Sequence, residues 1–438
     1  MVEGLAAARQ RPIAVIGGGY AGFAAAVELA AAGVAVEVFE ASRSLGGRAR
    51  GVDIDGVRLD NGQHILVGAY RETLRLMRRV GAAPERCLQR LPLLLELPGR
   101  LRIAAPDWPA PLHLAAALIG AQGLSAGEKW AAVRFMLGLK LTRYRLQNDI
   151  SVAALIATQP LPLRRYLWEP LCIATLNTPP DEASAQVFLN VLRDTLGAGR
   201  KDSDLLLPCV DLSRMFPEPA AEFVAGHGGQ IVRGSRITQL EKGDDGWSLR
   251  AGEARHGPYR QLILAVAPQH ATALLPSAPA CKALRETLAA LRYQPIVTVW
   301  LQYPPQVRLA APMLGAGDGL LQWLFDRGQL GGPPGLLAAV ISAEGRHQPL
   351  DHDELASRLH AEAARIVPQL PSPLWHRVIV EQRATFACLP GMRRPPLQTP
   401  LPGLLLAGDY VASDYPATLE GAVRSGVAAA GAVLAGND

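Results

Sequence analysis

Two stretches far apart in the chain carry residue types and spacings that can hold and use a cofactor. Near the amino terminus, Gly17, Gly19 and Gly22 form a G-x-G-x-x-G spacing directly after the apolar run Pro12–Ile16. A short β-branched run of this kind reads as a buried parallel strand. In such a turn Gly17 permits the tight bend, Gly19 lets a pyrophosphate approach the backbone, and Gly22 lets a helix pack closely on the strand. The spacing predicts a helix over about Tyr20–Ala32, so the backbone N–H groups at Tyr20 and Ala21 and the helix dipole face the phosphates. Gly33 is a natural stop, Val34–Phe39 a second strand, and Glu40 an acid placed to bind ribose hydroxyls and to disfavour a 2′-phosphate. The glycines alone are a weak signal. Strand, glycines, helix, stop, strand and acid in that order are a strong one for a dinucleotide.

The residues that follow favour a flavin over a nicotinamide. Ala41 is followed within a few residues by Gly46-Gly47-Arg48, which allows a second backbone approach to the pyrophosphate and sets a guanidinium beside it. On these residues the chain resembles the flavin-containing amine oxidase and phytoene desaturase superfamily. The resemblance implies FAD and a two-domain α/β architecture: a Rossmann-type domain built from discontinuous segments, and a substrate domain of helices over a mixed sheet. It also implies roles at the far end of the chain. There Leu404–Ala407 is a buried strand, Gly408 admits the ribityl–phosphate chain, Asp409 accepts hydrogen bonds from it, and Glu420, Gly421, Ser425 and Gly426 complete the signature. The backbone at Thr418 and Leu419, opening a helix over Thr418–Ala430, is expected at the flavin N1 and C2 carbonyl, where a helix dipole favours the anionic reduced form. The same resemblance assigns Gly62 and Gln63 to the flavin loop and Ile237 to a backbone contact with the adenine. Residues 403–430 hold no Cys or His, so the FAD is expected to be noncovalent, with His64 a remote alternative attachment point.

Asp60–Tyr70, Trp168–Pro180 and Ser203–Pro208 are more distinctive. Together they resemble the hydroxysqualene dehydroxylases of hopanoid biosynthesis, over nearly the whole chain. The resemblance implies removal of a hydroxyl from a C30 allylic alcohol to give squalene: an acid protonates the leaving group, and the allylic cation takes hydride from reduced flavin N5. His64 can act as the acid near neutral pH, Gln63 can orient the hydroxyl, and Asp414 and Tyr415, just before the flavin-facing helix, are similar candidates. Glu169 reads more readily as a capping or paired carboxylate. Two other enzyme readings stay open on this scaffold, a polyprenoid desaturase and an amine oxidase. A flavin-free prenyl-binding escort protein is a non-enzyme reading, against which the intact Gly46–Arg48 and Gly408–Gly426 signatures argue.

The elements that must position these groups fit the composition. A chain of 438 residues, 49% hydrophobic and 19% charged, forms a large core and suits two domains. We expect 9–70, 208–275 and 395–438 to build the FAD domain, and 71–207 and 276–394 the substrate domain. Within the latter, 71–207 reads mainly as helices; strands are expected at Ile296–Gln302, Leu336–Ser342 and Arg377–Glu381, with a helix at Asp353–Ile366. The net charge of +5 is spread without a run of like charges, which excludes a nucleic-acid arm. Five cysteines without a CxxC pair argue against a disulfide framework or a metal site and for a reducing compartment. Met1–Arg11 lacks the apolar core of a leader, and no apolar run reaches the length of a membrane span. The expected location is the cytoplasm, at the inner face of the membrane. Residues 108–146 are the helical region expected to contact the membrane: the capping box Ser125–Glu128 opens a helix to about Arg145, with Trp130, Val133, Leu137 and Leu141 on one stripe and Phe135, Leu139 and Leu146 on another. Basic residues edge both stripes; packing between two protein neighbours is the alternative. The expected partners are a lipophilic triterpenoid alcohol, an external electron donor and upstream enzymes of the same pathway.

Overall fold

A computed structural model describes residues 11–54, 56–197 and 199–436. The outermost residues of the expected 9–70 and 395–438 segments, and most of Met1–Arg11, lie outside the described residues.

The amino-terminal motif forms as its spacing dictates. Strand β1 (Ile13–Ile16) leads through the glycine turn into helix α1 (Tyr20–Ala31), and β2 (Val36–Glu40) runs parallel to β1. Gly33 takes φ +74° and closes the helix with Gly33 N–H donating to Ala30 O and Val34 N–H to Leu29 O, the left-handed stop that glycine adopts without strain. Three distant segments complete the sheet: β3 (Gln230–Arg233), β4 (Gln261–Leu264) and β5 (Leu404–Leu406). The order is β3-β2-β1-β4-β5, parallel throughout.

Two contacts that only glycine allows pull this layer together. A Cβ on Gly22 would lie 1.9 Å from Gly17 O. A Cβ on Gly426, in helix α2 (Leu419–Ala435), would lie 2.1 Å from Ala21 O and 2.9 Å from Ala24 Cβ. The last helix therefore packs backbone to backbone on the first, over a core of alanines that are almost fully buried.

The rest of the chain supplies a second sheet, flanking helices and small hairpins. The sheet has the order Met313–Gly315, Trp323–Asp326, Leu336–Ser342, Tyr293–Gln302, Trp375–Phe386. All its pairings are antiparallel, not mixed as expected. Helix His352–Ile366 carries the chain from one flank of Tyr293–Gln302 to the other. Leu336–Ser342 and Trp375–Phe386 thus run the same way without pairing to each other. Residues 71–207 contain strands as well as the expected helices, at Leu88–Leu91, Leu94–Leu97, Leu101–Ala104 and Leu205–Pro208. The leucine-rich runs were too short to show a period by themselves; Leu101–Ala104 alternates buried and exposed as a half-buried strand does. Helix Ala126–Leu141 opens on the expected Ser125–Glu128 capping box but ends four residues before Arg145. Arg143 and Tyr144 adopt φ +54° and +57°, and the chain reverses to bury the Tyr144 ring.

Candidate functional site

One cavity of about 1550 Å³ is lined by the glycine turns, the loop at Asn61–Ile65, and the helices Leu112–Ile119 and Ala126–Leu141. It exceeds the roughly 300–1,000 Å³ of a site for one small molecule and has room for a cofactor and a second, elongated ligand. Its two ends differ in chemistry. The first is lined by Gly17, Gly19, Tyr20, Ala21, Glu40, Ala41, Gly46, Gly47, Arg48, Ile237, Gly408 and Asp409, the second by leucine, methionine and aromatic side chains.

At the first end, Gly46 N–H donates to Gly18 O at 2.9 Å, so the two glycine loops face one another. A Cβ on Gly19 would meet nothing closer than Gly46 O at 3.8 Å, and one on Gly47 nothing closer than Gly19 Cα at 3.5 Å. Any side chain there would project into the gap that a phosphate needs. Glu40 holds the turn from the side: its carboxylate accepts from Gly18 N–H at 2.7 Å and from Ser42 N–H at 2.8 Å. Tyr20 presents backbone only, because its buried phenol donates to Leu212 O at 2.9 Å. The Arg48 guanidinium donates to Ala384 O and to Asp409, a carboxylate in the segment more than 300 residues downstream. Burial alone would make the guanidinium easier to deprotonate; the Asp409 charge reverses that and holds it protonated.

Not every residue expected at the cofactor lies there. Gly22 is outside the cavity lining and serves the strand–helix contact. Glu420 is fully buried away from it. Its carboxylate accepts from Glu72 N–H, Thr73 N–H and the Thr73 hydroxyl at 2.8–3.1 Å, and from Arg424 Nε at 2.7 Å. It caps the start of helix Arg71–Arg79, where an anion meets the positive end of the dipole. Thr418 and Leu419 do line the cavity, and the Thr418 hydroxyl caps α2 by accepting from Gly421 N–H at 3.0 Å.

The candidate catalytic residues separate in the same way. Gly62, Gln63 and His64 line the cavity. His64 Nδ1 lies 2.9 Å from Gly62 O. That bond fixes Nδ1 as the donor and leaves Nε2 as an acceptor. Burial lowers its pKa below the ordinary histidine value, opposed only in part by the Gly62 bond. Gln63 Nε2 donates to His64 O, and Gln63 Oε1 is buried with no partner. Tyr415 also lines the cavity; its hydroxyl donates to Asp194 at 2.8 Å, and Arg424 covers its ring at 4.5 Å. Asp414 is exposed and lies outside the lining: the turn that brings Tyr415 inward points its neighbour to solvent. Glu169 sits 3.9 Å from Arg164 in a half-exposed pair.

Sequence reasoning missed Asn177 and Asp194. Asn177 ends helix Glu169–Leu176 at φ +48°; its amide donates to Thr385 Oγ1 at 2.9 Å and accepts from Ala343 N–H at 2.7 Å, which ties the helix to the antiparallel sheet beside the cavity. Asn after a helical run is a known left-handed stop and could have flagged it. Asp194 carries no such local signal, since its partner Tyr415 is more than 200 residues away.

At the second end, Leu112 and Leu137 line the cavity and are more than half exposed. Around them stand Trp108, Ile119, Trp130 and Leu141, the last 86% exposed. Val133, Met136 and Lys140 line the cavity from the same helix, and Phe135 packs on Trp168 at 5.2 Å. Among the described residues no helix is long and apolar enough to cross a membrane, and no group of His, Cys, Asp and Glu is arranged to hold a metal ion.

Residues 20–434 match the flavin containing amine oxidoreductase family. The hydroxysqualene dehydroxylase of Rhodopseudomonas palustris is 32% identical over 91% of this chain and 93% of its own length; that of Sinorhizobium fredii is 29% identical over 90% and 92%. A solved putrescine oxidase with putrescine bound superposes with a TM-score of 0.72, at 16% identity, over 97% of this chain and 99% of the other. At that identity the likeness speaks to the fold.

Proposed function

The chain belongs to the flavin containing amine oxidoreductase family and, within it, to the hydroxysqualene dehydroxylases; we propose that it reduces the allylic alcohol hydroxysqualene to squalene with FAD as cofactor. One observation carries the reading: the glycine turns, the Gly62–His64 loop and the long apolar lining belong to a single cavity. The glycine end suits FAD, because a Cβ at Gly19 would occupy the space where the two loops converge. There Gly17–Ala21, Glu40, Gly46–Arg48 and Gly408–Asp409 would hold it, with Ile237 at the adenine and the start of α2 at the ring. When bound and reduced, FAD supplies the hydride.

The protein's own work is at the hydroxyl and the hydrocarbon. Gln63 Oε1 is an acceptor without a partner and orients the hydroxyl. His64 hands it the proton: an imidazolium whose pKa is lowered by burial is a stronger acid when it forms. Tyr415 donates to an Asp194 carboxylate that Arg193 and the phenol itself hold ionised against the effect of burial. That bond fixes the Tyr415 ring at the cavity wall. The apolar end excludes water, which would return the alcohol.

The exposed apolar rim at Leu112 and Leu137 is the entrance, and we infer that it rests on the inner face of a membrane. Tryptophans and leucines edged by Lys129, Arg134 and Lys140 suit an interfacial, non-spanning contact with anionic lipid. An oxygen-free single turnover tests the activity: photoreduced holoenzyme mixed with hydroxysqualene should yield squalene as the flavin reoxidises, one for one. Reoxidation without squalene would refute it. FAD should also leave the protein on acid denaturation, as noncovalent binding requires.

A further inference from the structure

We propose that Trp323 is the stop that sets how long a hydrocarbon arm the cavity accepts along the antiparallel sheet, a proposal that rests on the hydroxysqualene reading above. Successive side chains of a strand point to opposite faces of the sheet, and the two faces here have different neighbours. Val299, Leu301, Leu337 and Ala339 pack with Leu355 and Leu359 of helix His352–Ile366. The residues between them, Trp300, Ala338 and Val340, form a separate cluster on the other face with Met313, Phe325 and Trp323. Val340, Trp323, Phe325 and Met313 of that second face line the cavity.

Register turns this face into a ruler. Residues directly opposite in an antiparallel pair share a face. Thr298 is opposite Val340, Val340 opposite Trp323, and Trp323 opposite Gly315, so these four make one row across the strands. The row starts at the proposed reaction centre, where Gln63 N–H donates to the Thr298 hydroxyl at 3.4 Å. Neighbouring strands lie about 4.8 Å apart, which puts Trp323, two steps along, roughly 10 Å from that start. One step is close to the length of an extended isoprene unit.

The far end of the row is closed. A Cβ on Gly315 would lie 3.2 Å from Trp323 Cζ3 and 3.2 Å from Leu97 Cγ. The indole edge and Leu97 thus converge over a residue that has no side chain to hold them apart. Gly315 and Leu97 are themselves buried and outside the cavity lining, so along this row the lining ends at the indole. The helical wall is different: Leu112 and Leu137 line the cavity and are more than half exposed. An arm laid along the sheet meets a fixed stop, and an arm laid along the helices does not. An alcohol lengthened by one isoprene unit should therefore be accepted or rejected according to which arm carries the unit.

Two homologues of hydroxysqualene, each one isoprene unit longer and differing only in the lengthened arm, would be titrated into oxidised holoenzyme and followed by the flavin difference spectrum. The parent should bind one isomer as it binds hydroxysqualene and the other about tenfold or more weakly, since one extra methylene in an apolar pocket already carries about 10–200-fold. Trp323→Ala should bring the weak isomer to within a few-fold of hydroxysqualene, with flavin content and circular dichroism as in the parent. Val340→Phe moves the block one strand nearer Gln63; it should weaken hydroxysqualene and favour an analogue whose same arm is one unit shorter, and it reads the ruler even where Trp323→Ala does not fold. Single turnover of the reduced enzyme should rank the alcohols in the same order. If the parent binds both isomers equally, or the variants leave the ranking unmoved, while hydroxysqualene is still bound and reduced to squalene, then Trp323 is not the stop and the activity stands. If hydroxysqualene is neither bound nor reduced, the activity falls and the ruler falls with it.

Discussion

Gly426→Ala gives the sharpest test of how the two ends of the chain are joined. The added Cβ would lie 2.1 Å from Ala21 O and 2.9 Å from Ala24 Cβ. Backbone carbonyls do not yield as side chains do, so α1 and α2 must move apart by about 1 Å to restore a normal contact. A gap of roughly that size forfeits a quarter to a half of the dispersion between facing atoms, and overpacking of a tight core costs about 1–3 kcal/mol. At roughly 2–4 °C per kcal/mol for a large domain, the midpoint should fall by about 2–12 °C. Because α2 begins at Leu419, capped by Thr418, and both line the cavity, FAD should also bind more weakly. Gly431→Ala is the control: it lies in the same helix, is exposed, and a Cβ there meets nothing within 4 Å. There alanine should stabilise by about 0.4–1 kcal/mol. Thermal unfolding followed by circular dichroism and by flavin fluorescence, on both variants, reads the outcome. If Gly426→Ala melts with the parent, or both variants shift alike, the backbone-to-backbone clasp is wrong.

Three further outcomes are expected. Burial raises the Asp60 carboxyl to about 7, aided by nearby Asp211 and opposed by the Leu212 N–H bond and Arg327. An acid raised in the folded state contributes stability at pH below about 4 that is lost as pH climbs through about 7, on the order of 3–4 kcal/mol; Asp60→Asn keeps the acceptor for Leu212 N–H and should melt higher than the parent at pH 8 but not at pH 3.5, and equal shifts at both pH values would count against an ionising Asp60. His64, with its pKa below the ordinary value, should make the single-turnover rate climb as pH drops below about 6.5, and His64→Gln should flatten that limb and slow the step by about 10²–10⁴-fold; a retained limb would remove His64 as the proton donor. Trp130→Ser with Leu141→Ser should weaken sedimentation with anionic vesicles while leaving turnover of detergent-dispersed substrate unchanged, and undiminished vesicle binding would place the membrane contact elsewhere.

The amino-terminal half of the cofactor site was legible because its determinants are local. Strand, Gly17–Gly22, helix, Gly33 and Glu40 lie within 28 consecutive residues, and backbone conformation there answers to the glycines themselves. Helix starts with side-chain caps, such as Ser125–Glu128, were legible for the same reason. The roles of Glu420 and Asp414 were not. Each lies within a few residues of true cavity-lining positions, and what separates them is which way one turn of backbone faces. That is set by packing of α2 against α1 and against helix Arg71–Arg79, contacts hundreds of residues apart in the chain.

By itself the sequence determined the parallel nucleotide layer, the flavin signature and the apolar stripes of the helix at Ala126–Leu141, because each is a pattern of neighbours. Tertiary structure alone decided that Arg48 finds Asp409, that Tyr415 finds Asp194, and that Val133 and Leu137 of one apolar stripe line the cavity. Such pairings depend on where distant segments meet. Sheet order and close helix packing fix that, and no local run of residues encodes it.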